Sequence, residues 1–331
     1  MFRRISFFVL YVCLTVGSAV AQQTQPPSPV PQSSSTTQPP NAAVLKKIVG
    51  FLSVGFLKDG QAYVAAGTCF FVAYEDKRLG DNGGFVYLVT NRHVAVPGID
   101  EGHHYPVQWV KIRLNLQHVT QAIQSEEVSI PLGAQLNWYF PNDDSVDLAV
   151  LPILPDQARY DFQPFPVSLF ATKDAVASSQ IAEGDNVLFT GYFYQFPGLK
   201  KIEPIVREGI LAMMPDEVME TTLHRPGQLY LADVHSFGGN SGSPLFVNVG
   251  GYRNGSLTVG GFPYRLLGVI SGGYTEDTNF KLTIATTMKG TFAGNSGIAT
   301  VVPIDELKAL LESPALQARR DAEVAVKKSK N

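Results

Sequence analysis

The chain has 331 residues, of which 45% are hydrophobic and 17% are charged, a composition that is typical of a globular protein and excludes a largely disordered one. Its formal net charge of −3 gives no electrostatic argument for nucleic acid or an anionic membrane as a partner. The content of 30 glycines and 22 prolines favours an architecture of strands and turns.

The first 21 residues have the pattern of a secretory signal peptide. Arg3 and Arg4 form a basic start, residues 5–16 are mostly apolar, and Ala19-Val20-Ala21 is a small-residue cleavage site. Because the apolar stretch is shorter than the ~20 residues that span a bilayer, a cleaved signal is expected rather than a membrane anchor. The sequence therefore predicts a periplasmic or extracellular protein with no stable membrane insertion.

Cleavage after Ala21 would change both the charge and the cysteine content of the chain. It would remove two basic residues and Cys13, which leaves a net charge of −5 and one cysteine, Cys69. A single cysteine forms no internal disulfide, and its apolar surroundings are typical of a small buried core residue. The mature chain is therefore expected to depend on its hydrophobic core, for which it is long enough.

Residues 22–44 are rich in Gln, Pro, Ser and Thr, which predicts a disordered linker. From Lys46 onward, short apolar runs are separated by turn signals such as Asp59-Gly60, and this pattern favours a barrel or a sandwich. The candidate strands are Ile48–Phe56, Tyr63–Ala73, Gly84–Thr90, Val107–Leu116, Asp147–Leu154, Asn186–Tyr192, Pro204–Met213, Gln228–Ala232, Ser243–Val249, Tyr264–Tyr274 and Ile298–Val302. Some of these runs are continuous, so hydrophobic period alone does not exclude helix there.

One helix is predicted near the C-terminus. Residues 305–311 place Leu307, Leu310 and Leu311 on one face, and the acidic pair Asp305 and Glu306 in the first turn favours the helix dipole. The charged tail at residues 313–331 is expected to be frayed and solvated.

Three widely spaced residues have the types and the chain order of a known hydrolase triad. His93 follows an apolar strand in Thr-Asn-Arg-His-Val, Asp147 opens another in Asp-Leu-Ala-Val, and Ser241 lies in Gly-Asn-Ser-Gly-Ser-Pro. A serine hydroxyl needs a base within hydrogen-bond reach, histidine with a pKa near ~6.5 suits that role, and a buried carboxylate orients the imidazole. The backbone N–H groups of Gly239 and Ser241 are the candidate oxyanion donors.

These motifs resemble those of the trypsin-like serine peptidases of the chymotrypsin fold, in the bacterial branch that includes the HtrA proteases. The resemblance covers roughly residues 45–312 and extends to Gly67-Thr68-Cys69-Phe70-Phe71 and to residues 267–273. It implies an all-β fold of two six-stranded antiparallel barrels, at about residues 45–165 and 180–303, followed by a helix at 304–312. The resemblance also implies a primary pocket near His235, Ser271, Gly272 and Gly273.

The chain departs from the pattern of this family at three points. Asn240 stands where the animal digestive enzymes carry an aspartate that pairs with a newly cut N-terminus, so no activation by that ion pair is implied. Ser243 stands where the family prefers glycine. Only 19 residues of the sequence follow Glu312, so the PDZ domain of HtrA proteases is not expected in it.

Each predicted triad member has competitors in the sequence. Ser296 lies in a second Gly-Asn-Ser-Gly tetrapeptide, but too few strands follow it for a nucleophile, and a loop turn is predicted. Asp143 and Asp144 belong to a turn rather than to a strand. The other histidines are His103, His104, His118, His224 and His235. The sequence has no His-Glu-x-x-His or paired-cysteine motif, so that no zinc site is predicted.

The sequence thus predicts an exported serine endopeptidase that acts on protein or peptide substrates and needs no cofactor or metal. The alternative is a catalytically inactive peptide-binding module on the same fold. The absence of an acid at His235 gives no support for a trypsin-like preference for Lys or Arg. An esterase of the α/β-hydrolase type is disfavoured, since it needs its serine before the aspartate and the histidine.

Overall fold

The computed structural model describes residues 44–330 apart from Asn82 and residues 120–122, 134–136, 254–255, 259–260 and 284–286. The predicted signal peptide at residues 1–21 lies outside the described residues, as does the predicted linker at 22–44 except for Val44. Among the described residues, none of the helices combines the length and the apolar character that a bilayer span requires.

The N-terminal half forms one antiparallel sheet with a short parallel strand at its side. Its strands are β1 (Val49–Lys58), β2 (Gln61–Glu75), β3 (Gly84–Thr90), β4 (Val107–Asn115), β5 (Ser125–Ile130), β6 (Ala149–Pro152) and β7 (Phe165–Pro166). They are hydrogen-bonded in the order β5-β4-β1-β2-β3-β6, and β7 pairs with β2 in parallel. The family resemblance implied a six-stranded barrel here, which is not confirmed: the pairing within the described residues gives an open sheet of seven strands.

The C-terminal half contains a closed barrel and two small ribbons. Its strands are β8 (Asn186–Gly191), β9 (Ile205–Met213), β10 (Met219–Glu220), β11 (Pro226–Gly227), β12 (Tyr230–Asp233), β13 (Pro244–Asn248), β14 (Gly251–Arg253), β15 (Ser256–Thr258), β16 (Tyr264–Thr283) and β17 (Thr287–Pro303). The barrel closes in the order β12-β17-β16-β13-β8-β9. The predicted all-β architecture with an antiparallel six-stranded barrel is confirmed for this half.

In the described part of the chain, four α-helices connect or follow the strands. They are α1 (Arg92–Ala95), α2 (Lys173–Ser178), α3 (Ile304–Leu311) and α4 (Pro314–Lys330). Short 3-10 turns occur at Val44–Ile48, Lys77–Leu79, Ile99–Glu101 and Val167–Leu169. Helix α3 confirms the predicted C-terminal helix, and its apolar face is buried as the leucine spacing indicated.

A shared core holds the two halves together. One buried cluster contains Phe70 and Leu148 of the N-terminal half, Phe246 of the barrel and Leu307 of α3. A second cluster lies within the N-terminal sheet and a third within the barrel. Because one apolar cluster draws on both halves, the ends of β2, β3 and β13 are held close to each other.

The single cysteine of the described residues is part of this interior. Cys69 is fully buried on β2 and free of any disulfide, as its apolar surroundings in the sequence predicted. Burial raises the pKa of its thiol far above the usual value, so the side chain acts as a small apolar residue.

The hairpin of β16 and β17 is longer than the sequence predicted. The two strands pair from Gly268 and Pro303 out to Thr283 and Thr287, whereas strands were predicted only to Tyr274 and from Ile298. Ser296, predicted to lie in a loop turn, is part of β17 at a register shift. Its hydroxyl donates to the Tyr274 carbonyl at 2.9 Å, and Gly297 supplies the positive φ of 85° that the bulge requires.

The C-terminal tail also differs from its prediction. Residues expected to be frayed form helix α4, which buries Leu316, Arg320 and Val324 at intervals of four residues. The guanidinium of Arg320 donates to the Tyr87 hydroxyl at 3.0 Å and to the Leu311 carbonyl at 2.7 Å. Its positive charge had suggested a solvated end, but these buried partners satisfy it and anchor the helix.

Replacement of Arg320 by alanine is expected to destabilise the protein, since the buried Leu311 carbonyl would lose its donor. An unpaired buried polar group costs about 1–3 kcal/mol, and urea unfolding would measure this loss in the free energy of unfolding. Lys328→Ala is the matched control, because Lys328 is an exposed cation on the same helix and should matter by less than about 0.5 kcal/mol. Equal stability of the two variants would contradict the anchoring role.

Candidate active site

The predicted triad histidine lies at the end of a buried strand. Strand β3 ends at Thr90, and Asn91 with extended backbone precedes the short helix α1 that carries His93. The side-chain amide of Asn91 donates to the backbone carbonyl of Asp147 at 2.8 Å. This bond ties the end of β3 to the segment that leads into β6, so that His93 and Asp147 are brought together.

The carboxylate of Asp147 is buried, and three hydrogen bonds satisfy it. One oxygen accepts the backbone N–H of His93 at 3.0 Å, and the other accepts Nδ1–H of the same residue at 2.7 Å. The second oxygen also accepts the hydroxyl of Ser271 at 2.5 Å. With its proton on Nδ1, the imidazole keeps Nε2 as a free base.

The opposite charges of this pair shift both pKa values so that the charged form of each side chain is favoured. Burial alone would lower the pKa of His93, but the charge of Asp147 and its hydrogen bond outweigh burial, so the pKa lies above the usual value. Burial alone would raise the pKa of Asp147, but His93 and the hydroxyl of Ser271 lower it below the usual value. The carboxylate is therefore ionised at neutral pH.

The competing acids and histidines have other surroundings. Asp143 accepts the backbone N–H of Ser145 at 2.8 Å, and Asp144 lies between the guanidinium groups of Arg92 and Arg225. Both carboxylates are on the surface. His224 contacts Glu220 in solvent, so His93 is the histidine of the described residues that contacts a buried carboxylate.

Ser241 lies beside this pair without a hydrogen bond to the imidazole. Its hydroxyl donates to the backbone carbonyl of Ser271 at 3.2 Å, and no bond between it and His93 forms within the described residues. Its carbonyl and a methyl group of Val94 would both be 3.0 Å from a Cβ placed on Gly67. The serine and the residue after His93 therefore flank the same glycine.

Two successive turns shape the backbone around Ser241. The N–H of Asn240 donates to the carbonyl of Phe237, and the N–H of Ser243 donates to the carbonyl of Asn240, both at 2.9 Å. Within the described residues, the N–H groups of Gly239 and Ser241 donate no hydrogen bond. Gly239 has a φ of 94°, a conformation that glycine adopts without strain. The N–H of Gly238, which is exposed, likewise donates none within the described residues. The two predicted oxyanion donors are thus among the unpaired amides of this turn.

The side chain of Asn240 holds the turn without a charge. It is buried, its oxygen accepts the N–H of Phe237 at 2.8 Å, and its nitrogen donates to the carbonyl of Tyr192 at 2.6 Å. Both halves of the carboxamide are satisfied by backbone groups. The uncharged residue noted in the sequence therefore needs no ion pair here.

A cleft with a volume of about 390 Å³ lies beside Ser241. None of the residues that line it carries a charge, and they are Ser236, Phe237, Gly238, Asn240, Ser241, Ile270, Gly272, Gly273, Tyr274, Thr275 and Asn295. Gly272 and Gly273, both predicted pocket residues, are among them. Their lack of side chains leaves that wall of the cleft open.

The other two predicted pocket residues lie elsewhere, which corrects the sequence interpretation. His235 is exposed, faces Gly297, and lines a separate groove with Arg207 and Asp233. The long β16/β17 hairpin explains the difference, because its bulge at Gly297 lies beside the imidazole ring. Ser271 is buried, and its side chain contacts Asp147 rather than the cleft.

Sequence analysis missed one side chain of this network. Thr222 lies between β10 and β11, and its hydroxyl is 2.5 Å from that of Ser271. Since the Ser271 hydroxyl donates to Asp147, Thr222 is the donor in this contact. No motif marks Thr222, which is separated from Asp147 by 75 positions in the chain.

One protein family and several solved structures are similar to this chain. The profile of the family described as "Trypsin-like peptidase domain" matches residues 67–252, more than half of the chain. The structure titled "Crystal structure of Deg5" is similar at 17% sequence identity and a TM-score of 0.44, over 81% of this chain and 88% of that one. The HtrA-type protease AlgW with a decapeptide is similar at 13% identity and a TM-score of 0.43, over 81% and 64%. No curated protein sequence matches the chain.

The pKa of His93 gives a test of the buried pair that does not depend on activity. In the native chain we expect the imidazole to titrate above its ordinary value of ~6.5, because Asp147 is charged beside it. Asp147→Asn removes the charge and leaves burial, so the pKa should fall below that of the native chain. Imidazole ¹⁵N NMR over a pH series measures both.

Asp143→Asn is the control, since that carboxylate is exposed and does not contact His93. In this variant the pKa of the imidazole should stay within about 0.3 pH units of the native value. A full unit would correspond to a change of ~1.4 kcal/mol in the interaction between the groups. An unchanged pKa of His93 in Asp147→Asn would contradict the assigned pairing.

Proposed function

The chain belongs to the trypsin-like peptidase domain family, and on that premise we propose that it is an exported serine endopeptidase with His93, Asp147 and Ser241 as its triad. The observation that carries this proposal is the buried carboxylate of Asp147 on Nδ1 of His93, next to a serine whose own N–H and that of Gly239 are unpaired within the described residues. Export is proposed from the signal pattern of residues 1–21.

The first chemical step needs a small movement of Ser241. Rotation about χ1 between staggered positions carries the hydroxyl from the Ser271 carbonyl to Nε2 of His93. Catalytic hydrogen bonds are often long in a site without substrate and form only when it binds. His93 then takes the proton as Oγ attacks the peptide carbonyl, and Asp147 stabilises the imidazolium that results.

The rest of the reaction uses the turn and water. The tetrahedral oxyanion accepts the N–H groups of Gly239 and Ser241, whose lack of internal partners leaves them available. His93 returns its proton to the leaving amine, and an acyl-enzyme on Ser241 remains. Water, deprotonated by the same imidazole, hydrolyses that ester and restores the free serine, so the cycle needs no cofactor.

The uncharged cleft beside Ser241 supports a preference at the residue before the cleaved bond. Phe237, Ile270 and Tyr274 give it an apolar lining, and Gly272 and Gly273 leave it open on one side. A Lys or Arg side chain would lose hydration there without gaining a carboxylate partner. We propose uncharged, mainly apolar side chains at that position of a protein or peptide substrate.

A second function, a catalytically inactive peptide-binding module, is favoured by one contact. The Ser241 hydroxyl bonds to the Ser271 carbonyl rather than to His93, and a serine held there permanently would leave the imidazole without a nucleophile. Turnover of an unfolded protein such as casein separates the two functions, because a binding module retains the protein without cleaving it.

Ser241→Ala should abolish labelling by a fluorophosphonate probe and reduce casein turnover by at least about 10³-fold. Ser296→Ala is the matched control, since Ser296 lies in the same Gly-Asn-Ser-Gly tetrapeptide but in β17, and it should keep both activities. Labelling of Ser241→Ala at the native rate would refute the assignment of the nucleophile.

Cleavage of a peptide library by the native chain should favour uncharged side chains before the scissile bond over Lys and Arg by at least about tenfold. The physical reason is the absence of any charge in the lining of the cleft. Ser241→Ala serves as the background control. Enrichment of Lys or Arg at that position would contradict the assignment of this cleft as the primary pocket.

A further inference from the structure

A buried polar network lies directly beneath the turn that carries Ser241. Its central residue is Thr68 on β2, whose side chain and backbone both bond to the turn, and its other members come from β3, β8 and the segment that leads into β13. Thr68, Thr90 and Ser243 are fully buried, and Asn240 is 1% exposed. The network therefore connects the N-terminal sheet to the barrel at the candidate active site.

Thr68 bonds to both residues that carry the proposed oxyanion donors, Gly239 and Ser241. Its hydroxyl donates to the carbonyl of Gly239 at 2.9 Å, and its backbone N–H donates to the carbonyl of Ser241 at 2.8 Å. The Gly239–Asn240 peptide is thereby fixed at both ends, because its N–H donates to Phe237. The N–H of Ser241 belongs to the Asn240–Ser241 peptide, whose carbonyl accepts the N–H of Ser243, and the N–H of Gly239 belongs to the peptide before the fixed one. Since each peptide unit is planar, the bonds of Thr68 hold the units that adjoin both donor amides and so limit the directions in which these amides can turn.

The direction of the Thr68 hydroxyl is itself forced by its neighbours. A threonine hydroxyl has one proton to donate and two lone pairs to accept with. The N–H of Tyr192 donates to it at 2.8 Å, and the hydroxyl of Ser243 donates to it at 3.1 Å. With both lone pairs occupied, the Thr68 proton is left for the carbonyl of Gly239.

Glycines at two positions let the backbone pack tightly against this network. A Cβ on Gly191 would lie within 2.0 Å of the Ser243 hydroxyl oxygen, and one on Gly242 would lie within 2.1 Å of the Thr68 carbonyl oxygen. The Thr68 carbonyl also accepts the hydroxyl of Thr90 at 2.8 Å. Small residues therefore let two backbone segments approach Thr68 and Ser243 closely enough for these bonds to form.

From these contacts we infer that Thr68 is the positioning residue of the oxyanion donors and that Ser243 orients its hydroxyl. The inference rests on the proposed function and adds to it a residue on the opposite half of the fold. Ser243 is a feature of this chain, since the family that it resembles prefers glycine there. Both side chains are fully buried beneath the turn, so they act through its backbone rather than on the substrate.

Kinetics of four variants of the full chain test this inference. Thr68→Val removes the hydroxyl at nearly constant volume, and it should lower kcat roughly 10- to 100-fold while KM stays within about threefold. Thr68→Ser keeps the hydroxyl and should stay within about threefold of native kcat. Ser243→Ala should lower kcat roughly 3- to 10-fold, less than loss of a whole donor does.

Thr190→Val is the matched control for the first of these variants. Thr190 on β8 is equally buried, and its hydroxyl has no hydrogen-bond partner within the described residues. This variant should keep native kcat, and all folded variants should keep the acid limb of the pH profile, because the Asp147–His93 pair is untouched. A peptide aldehyde, which forms the oxyanion, should bind more weakly to Thr68→Val by a factor close to the loss in kcat/KM.

The outcomes separate this inference from the function on which it rests. A native chain that neither reacts with a fluorophosphonate nor cleaves casein would overturn both. An active native chain with native kcat in folded Thr68→Val, or with equal losses in Thr68→Val and Thr190→Val, would overturn the inference alone. If Thr68→Val does not fold, native kcat and aldehyde affinity in folded Ser243→Ala would overturn it.

Discussion

The arrangement of this site depends on one constraint, which is that a buried carboxylate must have its charge satisfied by hydrogen bonds. Asp147 meets it with the backbone and ring N–H groups of His93 and the hydroxyl of Ser271. Those partners come from the end of β3 and from β16, so a single anion links the sheet to the barrel. The same bonds fix the tautomer that leaves Nε2 of the imidazole as a base.

A second link between the halves lies beneath the serine turn and involves no charge. Thr68 of the sheet bonds to the carbonyls of Gly239 and Ser241, while the carboxamide of Asn240 bonds to Phe237 and Tyr192. The first link orients the imidazole of His93, and the second holds the turn that carries the proposed oxyanion donors. Both links cross the same interface, whose apolar cluster contains residues of the two halves. The packing of this cluster therefore keeps the two groups of hydrogen bonds in place.

The strands, the helix α3 and the three triad candidates could be predicted because each has a local signature of apolar period, turn residues or flanking glycine. The contacts of Thr68, Thr222, Ser271 and Arg320 could not, since each joins residues far apart in the chain. Arg320 illustrates the limit, because a charge in a basic tail indicates solvent until Tyr87 and Leu311 are seen beside it. The open N-terminal sheet and the extended hairpin likewise depend on pairing, which a residue pattern does not specify.

The interior position of Cys69 has a consequence for the conditions under which this protein keeps its structure. In the described residues it is the only cysteine, it is fully buried, and its raised pKa keeps it a thiol. Only a thiolate reacts readily with oxidants or with other disulfides. Within the part of the chain that the structure describes, the fold therefore contains no disulfide that a reducing compartment could break, and its one thiol is shielded from oxidants by burial.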